Sequence, residues 1–244
     1  MILEGRVALV TGGAQRVGQA IALALAKRGA DVVISYRTSR HAAVDTLKHL
    51  RDCHVRAVAI RADVSRAAEV QRLMRQIQRT FGRLDVLVNN AAVFERTPLS
   101  TLTERDWDYH LTTNLKGPFL CALFASRLMT IHGHGKIINL ADWAGERPYR
   151  DYLPYCVSKA GVIGLTKALS KELAPGIQVV AVAPGPILPP KSMTRKERER
   201  VIQRVPLKRW GSPQDIAQAV LFAVEGTDFM TGSTLFVDGG QLIA

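Results

Sequence analysis

The stretch Val7-Ala8-Leu9-Val10-Thr11-Gly12-Gly13-Ala14-Gln15-Arg16-Val17-Gly18 decides how the rest of the chain is read. Val7 to Thr11 is a short apolar run closed by a turn signal, the pattern of a buried strand. Beyond the turn, Val17, Ala20, Ile21, Ala24 and Leu25 recur at helical spacing as far as Gly29. Strand, glycine turn and helix together are the context that a dinucleotide-binding loop requires. Glycines let the backbone approach a pyrophosphate, and the helix N-terminus offers free N–H groups and partial positive charge. Gly12, Gln15, Arg16, Val17 and Gly18 are therefore the first candidate cofactor residues.

The next strand, Asp31 to Ser35, runs into Ser35-Tyr36-Arg37-Thr38. Sites for NAD place an acid here for the ribose hydroxyls, whereas a basic residue accommodates the extra phosphate of NADP. No acid is present, and Arg16 adds a second cation from the glycine turn. Two cations and two hydroxyls suit a phosphate. Tyr36, Arg37 and Thr38 thus point to NADPH rather than NADH.

The rhythm continues to the end of the chain. A helix is expected over about 41–50, a strand over 55–61 followed by Asp63-Val64, and a helix over 66–81. The strand over 84–88 leads into Asn89-Asn90-Ala91-Ala92. Helices follow over 103–114 and 117–130, then the strand Lys136 to Ala141, a helix to about Leu173 and the strand over 178–183. A polar, basic segment interrupts the pattern at about 185–208, before a helix over 213–224 and a strand over 235–238. About seven strands alternating with helices make an α/β, Rossmann-type, doubly wound parallel sheet in a single domain, residues 1–244. The interruption reads as a substrate loop or lid.

Between the fifth strand and its helix lies Asp142 to Lys159. Tyr155 and Lys159 are four apart, hence one turn apart on one helix face. An ammonium beside a phenol favours the phenolate, so Lys159 is expected to lower the tyrosine pKa and equip Tyr155 for proton transfer. A lone Tyr-x-x-x-Lys recurs by accident; its place after a buried strand gives it weight.

Composition narrows the function. No apolar run is long enough to span a bilayer. The start has no signal-peptide pattern, and three scattered cysteines (Cys53, Cys121, Cys156) suggest a reducing, cytoplasmic setting without disulfides. The six histidines lack metal-ligand spacing, and His132 and His134 read as solvated loop residues. The formal charge of +12 suits an anionic partner, but the basic residues are dispersed apart from Lys191 to Arg200. With no aromatic-basic stripe, a phosphorylated cofactor is a better use of that charge than nucleic acid.

At this point the chain resembles a short-chain dehydrogenase/reductase over nearly its whole length. The glycine turn, Asp63, Asn89-Asn90-Ala91, Asn114, Tyr155, Lys159, Pro184-Gly185 and Val237-Asp238-Gly239-Gly240 carry the likeness. It implies hydride transfer from a nicotinamide. Tyr155 would donate the proton, Lys159 would bind the ribose, and Asn114 would hold a relay water. Asp63, Val64, Asn90, Ala91, Ala92, Pro184 and Gly185 would join the cofactor site. Family members are usually tetramers or dimers, so a homo-oligomer, a tetramer above all, is implied.

Two departures resemble one branch, the pteridine reductases. Arg16 stands where the family usually has glycine, and Asp142 where it has a substrate-binding serine. Phe94 would stack a pterin, and Ile187 and Leu188 would line the substrate loop Pro184 to Pro190. An acid also suits reduction of a C=N bond, which needs a proton at nitrogen. The expected activity is thus NADPH-dependent reduction of a dihydropterin or dihydrofolate by Asp142, Tyr155 and Lys159. The runner-up is a carbonyl reductase such as a 3-oxoacyl-thioester reductase, which the general family pattern supports and Asp142 opposes, because an ionised carboxylate would repel a ketone oxygen as it gains charge. A sensor that binds NADPH without turnover is the non-enzyme alternative, and the intact Asn114, Tyr155 and Lys159 speak against it.

Overall fold

The computed structural model describes residues 1–189 and 193–244. Apolar runs of four to eight residues become seven parallel strands: β1 (Val7–Val10), β2 (Asp31–Tyr36), β3 (Ala57–Arg61), β4 (Val86–Asn89), β5 (Gly135–Leu140), β6 (Ile177–Pro184) and β7 (Thr234–Val237). Their order is β3-β2-β1-β4-β5-β6-β7. The strands are apolar on both faces because both are covered, and alternate side chains separate to opposite sides. Ala8, Val10, Val32, Ile34, Val86 and Val88 point into one core, with the helices α1 (Arg16–Ala26), α2 (Arg40–Arg51) and α8 (Pro213–Leu221). Val7, Leu9, Val33 and Leu87 point into the other, with α3 (Ala67–Phe81) and α5 (Gly117–Ile131). The remaining helices are α4 (Glu104–Leu111), α6 (Leu153–Leu173) and α7 (Arg195–Arg204).

β1 pairs with β2 on one side and β4 on the other, so the strand order reverses there. The crevice beyond the carboxyl ends of β1 and β4 is where ligands of open α/β sheets bind.

Several boundaries differ from the sequence reading. The expected helix over 103–114 ends at Leu111 and widens into a π-turn, Thr112–Lys116, ahead of α5. Pro118 lacks the N–H that would bond back to the carbonyl of Asn114, so the ladder is interrupted there. A second π-turn, Phe222–Gly226, cuts short the helix expected over 213–224. β3 begins two residues late because His54 turns the chain at φ 60°. His134 is not a free loop residue: Nε2 lies 2.7 Å from Arg6 Nη1. Both gather around the buried carboxylate of Asp85, which also holds Arg83 at 2.7 Å.

In the expected lid region, α7 is set by a capping box between Thr194 and Glu197 and buries none of its residues. Pro190 and Lys191, at the end of the substrate loop and the start of the basic cluster, lie outside the described residues. Among the described residues no helix is long and apolar enough to cross a membrane, and no cluster of His, Cys, Asp or Glu has metal-site geometry.

Candidate active site

The glycine turn builds a cradle from backbone. Gly12 sits at φ 62°, and a Cβ there would come within 3.0 Å of Ala91 Cα. A Cβ on Gly18 would meet Asn90 Nδ2 and Gly12 O, both at 2.5 Å. Asn90 locks this contact by donating to Thr11 O (2.9 Å) and Gly12 O (3.1 Å). Thr11 Oγ1 returns the tie by accepting from the backbone N–H groups of Asn90 and Ala91. Among the described residues no side chain caps α1 and no acid lies in its first turn. Its free N–H groups therefore face the groove, ready for a phosphate. Arg16 holds a left-handed φ of 55°, a position where a side chain costs about 1 kcal/mol relative to glycine.

This groove, about 330 Å³, brings together every residue expected from the glycine turn, the end of β2 and the segments after β3 and β4. Arg16, Arg37, Thr38 and Ser39 all line it, and the Arg16 guanidinium reaches Leu188 O at 3.5 Å. Closely approaching backbone, open amides and two lining arginines fit a dinucleotide with a 2′-phosphate.

The second cavity adjoins the first and is larger, about 1120 Å³. Tyr155, Lys159, Pro184 and Gly185 line this one, while Arg16, Val17, Asn90 and Ala92 border both. Tyr155 Oη donates to Asp142 Oδ2 at 2.7 Å. Asp142 Oδ1 accepts from the Ala144 N–H at 2.8 Å and from Tyr149 Oη at 3.4 Å. Trp143 Nε1 in turn donates to Tyr149 Oη at 2.5 Å. Asp142 therefore caps the short turn Trp143–Gly145 and faces the cavity at once. Lys159 Nζ donates to Leu140 O at 2.6 Å and lies 5.8 Å from the Tyr155 ring centroid.

Burial sets the electrostatics here. It raises the Asp142 carboxyl above the ordinary carboxylate range against the hydrogen bond from Tyr155. It also lowers the Lys159 ammonium to about 8. The Tyr155 phenol is raised well above its usual value, first by burial and then by the Asp142 charge. This overturns the expectation that Lys159 lowers it: desolvation and the nearby acid outweigh an ammonium bonded to a backbone carbonyl. A tyrosine held protonated is a donor.

Asn114 lines neither cavity. In the π-turn its amide bridges Val93, accepting from N at 2.8 Å and donating to O at 3.0 Å, and reaches Ser158 Oγ at 3.1 Å. Ser158 Oγ donates to Tyr155 O, so Asn114 ties the loop after β4 to α6.

Phe94 lines the second cavity but stacks on Tyr152, centroids 4.6 Å apart and planes 10° off parallel, with its edge contact to Tyr155 at 4.7 Å. Ile187 and Leu188 also line it, although Ile187 is mostly buried in the core. Met193, Val201, Trp143, Tyr149, Tyr152 and Trp210 lie there too, and sequence reasoning missed Tyr152 and Trp210. Tyr152 is the N-cap residue of α6, three residues before Tyr155, and forms an isolated bridge with Thr97. Arg147, Arg150, Arg204 and Lys208 line the cavity; Arg147 donates to the carbonyl oxygens of Gln241 and Ala244, and Lys208 to that of Gln203.

Comparison with known proteins fits this geometry. A family model described as enoyl-(acyl carrier protein) reductase matches residues 12–241. A 3-oxoacyl-[acyl-carrier-protein] reductase of Synechocystis is 39% identical, over 99% of this chain and 98% of its own. Its counterpart in Staphylococcus aureus is 39% identical, over 96% of this chain and 97% of its own. A solved structure of an actinorhodin polyketide ketoreductase variant with NADPH superposes with a TM-score of 0.92 at 32% identity, covering 98% of both chains. These relatives overturn the pteridine expectation. Arg16, Asp142 and Phe94 sit in a chain whose full-length likeness is to reductases of 3-oxoacyl thioesters, and Phe94 already stacks on Tyr152. Two substitutions and a loop are too little sequence to assign a branch.

Proposed function

The chain belongs to the short-chain dehydrogenase/reductase family, and from that premise we propose that it is an NADPH-dependent reductase of 3-oxoacyl thioesters. The observation that carries the reading is the full-length likeness to 3-oxoacyl-[acyl-carrier-protein] reductases, joined to a cavity in which Tyr155, raised well above its usual value, donates at 2.7 Å to an Asp142 carboxyl raised by desolvation. An ionised acid would repel a ketone oxygen gaining charge. A neutral one donates to it, as the family's serine does.

Gly12, Gln15, Arg16, Val17 and Gly18 would hold the cofactor's pyrophosphate side, Arg16, Arg37 and Thr38 its 2′-phosphate, and Lys159 its ribose. When bound there, NADPH would supply the hydride that reduces the carbonyl carbon. Substrate would displace the hydrogen bond between Tyr155 and Asp142, so that Tyr155 and a protonated Asp142 both donate to the carbonyl oxygen; the Tyr155 proton would then pass to it, leaving a 3-hydroxyacyl thioester. Lys159, lowered to about 8, is poised to return a proton to Tyr155 near neutral pH. Asn114 positions the Tyr155 helix through Ser158 rather than touching substrate. The large cavity admits an acyl chain, Ile187, Leu188 and Phe94 supply apolar surface, and Arg147, Arg150, Arg204 and Lys208 suit an anionic carrier. The described parts of the 185–208 segment, residues 185–189 and 193–208, would cover the site as a lid.

Exposed apolar side chains on α4, α5 and α6 (Trp107, Phe119, Val157) support a homo-oligomer, read here as a tetramer. Three unpaired thiols suit the cytoplasm. The test is NADPH oxidation at 340 nm with acetoacetyl-CoA. Turnover is expected to be at least tenfold more efficient than with ethyl acetoacetate, and its absence overturns the reading.

A further inference from the structure

Arg37, at the end of β2, has an anchor that lies outside the groove it lines. Its Nη2 donates to Tyr109 Oη at 3.1 Å, and its Cζ lies 5.7 Å from the Tyr109 ring centroid. Tyr109 is on α4, 72 residues away in sequence, and does not itself line the groove. α4 is fixed at its start by a capping box between Thr103 and Asp106. The backbone of Arg37 is fixed as well, since Arg61 Nε donates to its carbonyl at 3.2 Å. Both ends of a long cationic side chain are thus tied, one to the sheet and one to a helix on the far side of the crevice. The guanidinium remains largely exposed, with Asp63 and Glu95 as its acidic neighbours.

An unrestrained arginine loses rotamer freedom when it binds an anion, and an arginine already held in place loses less. A hydroxyl acceptor also leaves the charge unneutralised, which a carboxylate would not. We propose that Tyr109 is the positioning residue for NADP selectivity, holding Arg37 across the adenosine half of the groove so that its guanidinium meets the 2′-phosphate. The inference rests on the NADPH reading but not on the identity of the substrate.

The test uses two probes that differ by that phosphate, 2′,5′-ADP and 5′-AMP, with binding measured calorimetrically on the whole protein. Wild type is expected to bind 2′,5′-ADP at least tenfold more tightly. Tyr109→Phe, which keeps the ring and removes the acceptor, is expected to weaken 2′,5′-ADP about fivefold and leave 5′-AMP within twofold. In an Arg37→Gln background the same substitution should add nothing, because the two residues act as one unit. Equal weakening of both probes, additive effects in the double variant, or tighter 2′,5′-ADP binding in Tyr109→Phe would each overturn the role of Tyr109. Loss of selectivity in wild type itself would instead overturn the NADPH reading, and the inference with it.

Discussion

The two halves of the crevice are built by different means. The cofactor groove is made of backbone: glycines that admit no Cβ, open amides at the start of α1, and Asn90 and Thr11 tying two strand ends together. The substrate cavity is made of side chains brought from separate places, namely Phe94 after β4, Asp142 after β5, Tyr155 on α6 and Ile187 after β6. Backbone cradles depend on local spacing, so they tolerate little change. Side-chain cavities depend on how separate segments meet, so the same fold can serve different substrates.

The sharpest way to break the comparison is to remove the proton donor while leaving the groove intact. Tyr155→Phe deletes one hydroxyl and its hydrogen bond to Asp142. Reduction should fall by about 10³-fold or more, within the range for general acid catalysis. NADPH affinity, measured by fluorescence titration, should stay within a few-fold. Large losses in both would mean the halves are not separable.

The converse experiment attacks the groove. Gly18→Ala places a methyl 2.5 Å from Asn90 Nδ2 and Gly12 O, and neither can retreat without breaking the bond between them. NADPH binding should weaken by about 10²-fold, and stability should drop by about 2 kcal/mol, as for other overpacked sites. Ordinary affinity in this variant would show that the turn yields more easily than its geometry implies.

These contrasts also explain what the sequence made legible. Thr11 to Gly18 announces itself because strand, glycine turn and helix are local features with fixed periods. The seven strands follow from short apolar runs that alternate between two covered faces. The tyrosine pKa was not legible, since spacing placed Lys159 beside Tyr155 but gave no measure of burial or of the Asp142 bond at 2.7 Å. Nor was the anchor on Arg37, because Tyr109 is 72 residues distant. Phe94 misled in the same way. Sequence located it at the cavity, but its partner Tyr152 is a fact of packing.

Asp142 allows a finer test of the substrate half. Its carboxyl is raised by burial, so the folded site favours the neutral acid, and that preference is lost as pH rises through the raised value. If the neutral acid donates to the carbonyl oxygen, kcat/KM should decline on the alkaline side of that transition. Asp142→Ser donates without titrating in this range. It should match wild type within about tenfold at low pH and lose that limb of the profile. A limb of unchanged position in the serine variant would assign it to another group.

Phe94 sets the lower end of the scale. One face of its ring is taken by Tyr152 at 4.6 Å, and its edge meets Tyr155 at 4.7 Å. A residue packed this way shapes the cavity and steadies the donor without touching the reacting atoms. Phe94→Leu keeps apolar volume and gives up two aromatic contacts, each worth about 0.5–1.5 kcal/mol. Because Phe94 is half-exposed, the loss should fall at the low end and appear as a KM increase of about threefold for a thioester, with kcat nearly unchanged. A drop in kcat of more than tenfold would show that the ring holds the Tyr155 hydroxyl in line, and that even a half-exposed wall of the side-chain cavity is as exacting as the backbone cradle beside it.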